Sequence, residues 1–254
     1  LKILISNDDG INSKGIYELA KAMKEIGEVY VVAPLTEQSA VGHAITMKLP
    51  LRVTEHYING EFFGHAVTGT PADCIKIGIR NILKFNPDIV ISGINLGSNT
   101  AINIIYSGTV SAAREAAIMD VPALAVSVTN HQATHFEYAC LVAKELVKKV
   151  VKSSLPTGTL LNINVPDLPK EEIKGTLITK QGKSKWDDIY LEREDPYGGK
   201  YYWLTGTLMD VDKDLVTDQF AIKNNYASVS PIHFDLTDHE AYEMINNWNL
   251  DSFK

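Results

Sequence analysis

The chain has 254 residues, 45% hydrophobic and 22% charged, with a formal net charge of −7. That composition builds an ordinary globular core, and the negative balance excludes a broad binding surface for long nucleic acids. A small anionic substrate stays compatible, because a metal and a few aimed N–H groups can set the local field.

No apolar run approaches the length of a membrane span. With a strand expected from the first residue, no signal peptide is expected. Cys74 and Cys140 fall in predicted helices, away from any Cys/His zinc spacing. The expectation is a cytoplasmic protein with two buried thiols.

Lys2-Ile3-Leu4-Ile5-Ser6 reads as a buried strand of a parallel sheet, and it runs straight into Asn7-Asp8-Asp9-Gly10. Ligands in such sheets sit beyond the carboxyl ends of the strands. Adjacent side chains of a regular strand point to opposite faces, but a turn at Gly10 lets Asp8 and Asp9 converge. Converged carboxylates need a cation or a shared proton, and Mg²⁺ or Mn²⁺ suits all-oxygen ligands. The other reading makes Asn7, Asp8 and Gly10 turn formers, with one Asp capping the next helix. The motif alone leaves both open.

Residues 15–26 carry helical apolar spacing, and residues 28–33 form a second strand closed by Pro34. This is a right-handed βαβ unit. No G-x-G-x-x-G joins strand to helix, so the dinucleotide fingerprint is missing. Residues 35–47 form a polar loop on the same edge as the acidic turn. Ser39 can offer a hydroxyl oxygen to a metal. Gly42 and His43 make a possible substrate loop, in which His43 either binds metal or phosphate or is a hydrogen-bonded structural group.

Residues 50–54 and 61–65 predict two short strands about an Asn59-Gly60 turn. Thr70-Pro71-Ala72-Asp73 starts a helix, with Thr70 as N-cap and Pro71 in its first position. Residues 88–92 form a further buried strand running into Gly93-Ile94-Asn95-Leu96-Gly97, which sends the Asn95 amide into the crevice of Asp8 and Asp9. Tyr106-Ser107-Gly108-Thr109 then feeds a small-residue helix. Ser107 and Thr109, with the free N–H groups of a helix start, make an anion site, and Gly108 lets the backbone approach a phosphate closely. Plain N-capping is the alternative.

A strand over 122–128, a helix over 135–151 and a strand over 159–165 complete the βα alternation. Beyond residue 170 the chain reads as strands (176–179, 200–204, 227–232) and irregular links, with a last helix from about Thr237. Tyr201, Tyr202 and Trp203 either stack a base or, as is more common, pack a hairpin against its neighbours or a partner subunit.

Taken together, Asn7-Asp8-Asp9-Gly10, Ala33-Pro34 with Ser39-Ala40 and Gly42, Thr70-Pro71-Ala72-Asp73-Cys74, Ser92-Gly93-Ile94-Asn95 and Gly97, Tyr106-Ser107-Gly108-Thr109-Val110, Asp195-Pro196 with Tyr201-Tyr202-Trp203, and Val229-Ser230-Pro231 resemble the SurE family, the survival-protein nucleotidases. The blocks span nearly the whole chain in the family's order. The resemblance implies an α/β fold: a Rossmann-like, mostly parallel sheet flanked by helices over residues 1–170, with a β-rich C-terminal extension over 171–254 used in oligomerisation. It implies a homodimer or homotetramer and one divalent cation per subunit, Mg²⁺ or Mn²⁺, held by Asp8, Asp9, Ser39 and Asn95. The implied substrate is a nucleoside 5′- or 3′-monophosphate, with exopolyphosphatase as a side activity.

In the mechanism this suggests, Asp8, Asp9 and Asn95 serve hydrolysis by a metal-activated water, and Asn95, Ser107, Gly108 and Thr109 hold the phosphate. The sequence departs from the family pattern at Gln38, where a basic residue is frequent, and at Ala101, where glycine is common. Three rivals stand beside this reading. A mononucleotide sensor would use the same crevice without releasing phosphate. A covalent aspartyl-phosphate phosphatase would space its carboxylates D-x-D. A dinucleotide-dependent oxidoreductase would need the missing glycine fingerprint.

Overall fold

A computed structural model describes residues 1–214 and 216–248. The last six residues of the expected C-terminal extension, and residue 215, lie outside the described residues. Strand β1 (Lys2–Ser6) leads through α1 (Lys14–Met23) to β2 (Glu28–Pro34), and an antiparallel pair follows, β3 (Val53–Ile58) and β4 (Glu61–Val67). Helix α2 (Pro71–Ile77) precedes β5 (Ile89–Leu96), and α3 (Asn103–Tyr106) and α4 (Gly108–Ile118) precede β6 (Ala123–Val128). Helix α5 (Glu137–Ser153) connects to β7 (Thr159–Val165), followed by β8 (Thr176–Ile178). A long hairpin comes next, β9 (Lys185–Glu194) and β10 (Lys200–Met209), then α6 (Asp218–Lys223), β11 (Ala227–His233) and α7 (His239–Asn246).

One sheet runs in the order β3-β4-β2-β1-β5-β6-β7-β11-β8, and β9 and β10 pair apart from it. Its centre is parallel from β4 through β7, and β11 adds antiparallel to β7. The fold is therefore α/β, with a mostly parallel sheet. The period-2 alternation of β1 divides the core. Ile3 and Ile5 pack with α1 and α5, while Leu4 packs with α2 and α4. Among the described residues no helix is long and apolar enough to cross a membrane.

From β1 the chain moves to β2 on one side, then returns to place β5 on the other side of β1. Strand order reverses there, which opens a crevice beyond the carboxyl ends of β1 and β5. The acidic turn leaves β1 at that point. Pairing of β5 with β6 slips between Ser92 and Asn95. Gly93 sits at the slip with φ +139°, where a Cβ would lie 2.3 Å from the Val126 carbonyl oxygen. The irregularity re-aims the end of β5 and with it Asn95.

The hairpin strand β9 and helix α6 were not expected from the sequence. Strand β9 is exposed along its whole length, so no alternation of apolar and polar residues marks it. Helix α6 has six residues and no side-chain cap. Helix α5 starts two residues later than the spacing predicts. His135 is held outside it, its backbone N–H donating to Asp167 Oδ1 and its Nδ1 lying 3.0 Å from the same oxygen.

Candidate active site

The turn after β1 is built by Asn7. Its side-chain amide donates to the Gly10 carbonyl (2.9 Å) and to Ser13 Oγ (2.7 Å), and Ser13 in turn caps α1. The amide N–H groups of Asn7 are thus spent on the turn, while its buried Oδ1 has no partner among the described residues; Asp8 and Asp9 face a cavity of about 700 Å³. Ser39, Asn95 and Ser107 line the same cavity.

Asp8 is buried, and the start of α4 is aimed at it. Thr109 donates its hydroxyl proton to Asp8 Oδ1. Burial nonetheless raises the Asp8 pKa above the ordinary range, against the lowering effect of Thr109. Asp9 accepts from the Leu96 N–H (3.2 Å), which ties it to the end of β5. Burial first, then the neighbouring Asp8 charge, push Asp9 up to about 7. No ion pair among the described residues involves either group.

Two adjacent carboxylates without a counter-charge fit a cation, and the surrounding atoms suit a hard one. The Asn95 amide donates to the Gly97 carbonyl (2.6 Å), and its oxygen accepts no hydrogen bond among the described residues. Ser39 donates to Glu37 Oε1 (2.5 Å), so its proton is placed and its lone pairs are left for a ligand. The described residues contain no group of three His, Cys, Asp or Glu side chains placed for metal binding. Two carboxylates completed by an amide and a hydroxyl oxygen would be the donor set, typical of Mg²⁺ or Mn²⁺ rather than zinc.

The phosphate candidates separate. Ser107 lines the cavity, although its Oγ accepts the Val110 N–H (3.0 Å) as a helix cap. Gly108 and Thr109 lie behind it. A Cβ on Gly108 would sit 2.8 Å from Asp8 Cβ and 3.0 Å from Asp8 Oδ2, so the room this glycine makes is filled by Asp8. Thr109 is fully buried and spends its hydroxyl on Asp8.

Gly42 and His43 do not line the cavity. The Gly42 N–H donates to the Tyr106 carbonyl (3.0 Å). His43 Nε2 lies 2.8 Å from Glu115 Oε2. The polar loop that carries them is pinned further by Gln38 N–H to the Asp8 carbonyl (2.8 Å) and by Thr70 Oγ1 to the Ala44 carbonyl (2.7 Å).

Other residues of the site were not picked out from the sequence. Lys14, Glu37, Asn99, Tyr106, His131 and Trp186 all line the cavity. Lys14, one residue past the cap of α1, is its one lysine or arginine among the described residues. Asn99 anchors the loop after β5: its N–H donates to Asn164 Oδ1 (2.7 Å) and its amide to Ser127 Oγ (2.9 Å). Asp218 of α6 accepts from the Ala101 N–H (3.0 Å), which holds Ala101 in its left-handed conformation, φ +50°. A polar residue just past each parallel strand was the available signal for Asn99. For Asp218 and Trp186, distant in sequence, there was none.

The chain as a whole is similar to known proteins. Residues 3–188 match the family described as Survival protein SurE. A protein of Syntrophobacter fumaroxidans called 5′-nucleotidase SurE is 50% identical over 250 residues, 98% of this chain and 100% of its own. Another of that name, from Chlorobaculum tepidum, is 47% identical over 248 residues, 98% of this chain and 94% of its own. The crystal structure of the SurE protein from Aquifex aeolicus superposes with a TM-score of 0.83 at 40% identity, covering 97% of this chain and 98% of that one. The chain belongs to the SurE family.

Proposed function

We propose that this protein is a nucleoside monophosphate phosphatase, a 5′-nucleotidase, that hydrolyses the phosphomonoester with water and depends on a divalent metal. The observation that carries this reading is the pair Asp8 and Asp9, two uncompensated carboxylates at the point where the strand order reverses, facing neutral oxygen donors across one cavity. The name shared by relatives of nearly full coverage supports the choice of substrate.

The cation, Mg²⁺ or Mn²⁺ and one per subunit, is assigned to Asp8, Asp9, Ser39 and Asn95. Bound there, it supplies Lewis acidity, which makes water more acidic and shields the charge of the phosphate. The protein's own groups do the rest. Thr109 fixes the Asp8 carboxylate, and the Leu96 N–H fixes that of Asp9. Glu37 accepts the hydrogen bond of the Ser39 hydroxyl. Asn95 and Ser107 face the phosphate, with the N–H of Gly108 at the helix start beside them. Lys14 supplies positive charge on the cavity wall that Gln38 does not.

Residues 1–170 are assigned as the catalytic core and 171–254 as the extension. The exposed apolar side chains on one face of the β9–β10 hairpin, Ile189, Leu191, Tyr201 and Trp203 at 41–64% exposure, support a homodimer or homotetramer joined there. Cys74 and Cys140 are free and buried, and burial pushes both thiols up, Cys140 to about 12, which fits a reducing cytoplasm. Phosphate release from a panel of nucleoside monophosphates, with chelator and with each divalent metal, tests the activity. Binding of a nucleotide without phosphate release under every metal would favour a sensor instead.

A further inference from the structure

The cavity at the acidic turn has a neighbour. A second cavity, of about 940 Å³, lies between the core and the hairpin, and the two share Ala40, Asn103, Tyr106 and Trp186 in their walls. We propose that Trp186 and Tyr106 form the subsite for the nucleobase, with the base lying in the second cavity while the phosphate occupies the first. This rests on the nucleotidase reading and adds to it the part of the protein that recognises the substrate beyond its phosphate.

Four observations carry it. First, Trp186 and Tyr106 are aromatic side chains standing 42% and 54% exposed at the mouth between the cavities. A core role would bury them. Second, the indole N–H of Trp186 already donates to Asn103 Oδ1 (2.8 Å). With its one polar atom satisfied and its orientation fixed, the ring has only its faces left to offer, and faces of fixed rings are what bases stack on. Third, the second cavity mixes apolar walls (Ile102, Tyr190, Leu204) with hydrogen-bonding groups (Asp188, Lys185, Thr205), as a base with a π-face and a polar edge requires. Fourth, Tyr201, Tyr202 and Trp203, the aromatic run that stands out in the sequence, line neither cavity. The stem of the same hairpin, through Trp186 and its cross-strand partner Leu208, reaches the site instead.

The test compares adenosine 5′-monophosphate with ribose 5-phosphate, which presents the same phosphate and sugar without a base. It uses the full chain with Mn²⁺ or Mg²⁺. The wild type should favour the nucleotide in kcat/KM. Trp186→Ala should lower the ratio of the two kcat/KM values about ten-fold, mainly through KM for the nucleotide, as loss of one stacking partner predicts. Trp186→Phe should restore most of the ratio. Independently of turnover and of metal, adenosine should quench tryptophan fluorescence in the wild type, and Trp186→Phe should remove that quenching. A wild type that treats both esters alike, or a Trp186→Ala variant whose ratio is unchanged because both substrates fall together, would overturn the subsite and leave the phosphatase reading intact. Release of phosphate from neither ester, with any metal, would overturn the phosphatase reading and the subsite with it.

Discussion

Glu115 of α4 lies with its Oε2 2.8 Å from His43 Nε2, and its Oε1 accepts from Lys76 Nζ of α2 at 2.7 Å. The carboxylate is 3% exposed. Burial would raise its pKa, but the hydrogen bonds from His43 and Lys76 and the charge of Lys76 hold it below the ordinary range. One buried acid thus joins three segments: the loop carrying Glu37 and Ser39, helix α2, and the helix whose first turn holds Asp8. The role of His43 is to fasten that loop.

Glu115→Ala should therefore destabilise the fold by about 1–3 kcal/mol, because it unmakes two charge-assisted hydrogen bonds. Lys76 is half-exposed and finds water, which keeps the cost below that of a stranded buried charge. A depressed folded-state pKa stabilises above the unfolded value and fades as pH falls through the folded one. The gap between wild type and variant, read by urea unfolding, should be full above the ordinary glutamate value of about 4.3 and close as pH falls through the depressed folded-state value. The variant should also bind the divalent cation more weakly, because Ser39 loses its anchored loop. Equal cation midpoints in the two proteins would mean that Ser39 does not depend on Glu115.

Much of this was legible in the sequence, and the reason is local. The acidic turn declares itself because an apolar strand runs directly into Asp8-Asp9-Gly10. The start of α2 does so because Thr70 and Asp73 form a full capping box within four residues. Ser107 was legible as a cap, and the structure uses it as one. What escaped is non-local. Glu115 reads as one polar residue on a small-residue helix until it meets His43, 72 positions away. That Asp8 fills the side-chain space at Gly108 likewise shows only in the packing of α4 against the turn. Strand β9 escaped because a strand exposed on both faces has no period to read.

Chelation should cost more stability at high pH than at low. In the metal-free protein Asp9 is raised to about 7 by burial and by Asp8. A raised carboxyl pKa means that the folded state holds its proton more tightly than the unfolded state. The penalty is absent below the unfolded value near 4, grows as pH rises, and is complete above about 7. Metal-free protein should thus gain melting temperature on going from pH 8 to pH 5. Added Mg²⁺ or Mn²⁺ should raise it at pH 8 far more than at pH 5. Asp9→Asn should raise the metal-free melting temperature at pH 8, by roughly 2–4 °C per kcal/mol relieved, and abolish the response to metal. An unchanged response in Asp9→Asn would place the cation elsewhere.

Gly108→Ala puts a methyl group 2.8 Å from Asp8 Cβ and 3.1 Å from Pro71 Cγ. The expected cost of this overpacking is about 1–3 kcal/mol. Because the group that must give way is Asp8, the larger effect should fall on the cation: a ten-fold or greater rise in the metal concentration for half-maximal activity. Stability lost with metal dependence unchanged would show that the helix moves and Asp8 does not.

Asn95→Ala should fold and unfold like the wild type within about 1 kcal/mol, since the side chain's one described hydrogen bond is to the nearby Gly97 carbonyl. It should lose at least a hundred-fold in kcat. A large drop in urea midpoint would make the residue a brace for the β5 loop and withdraw it from the chemistry.

The way phosphate leaves decides between direct attack by water and a phosphoryl-Asp8 intermediate. An Asp nucleophile needs an oxygen free to approach phosphorus in line. Here Asp8 Oδ1 takes the hydroxyl of Thr109, and its far side packs against Gly108. Thr109 holds the carboxylate in place, and in-line approach would break that bond. Asp9 is pinned in its turn by the Leu96 N–H. A single displacement inverts configuration at phosphorus, whereas two successive displacements through an enzyme ester retain it. Hydrolysis, in ¹⁷O-labelled water, of a nucleoside monophosphorothioate made chiral at phosphorus with ¹⁶O and ¹⁸O should therefore give chiral thiophosphate with inversion. Glycerol added as a competing acceptor should yield no glycerol phosphate, since there is no phosphoryl-enzyme to intercept. Retention, or phosphate transferred to glycerol, would make Asp8 the nucleophile after all.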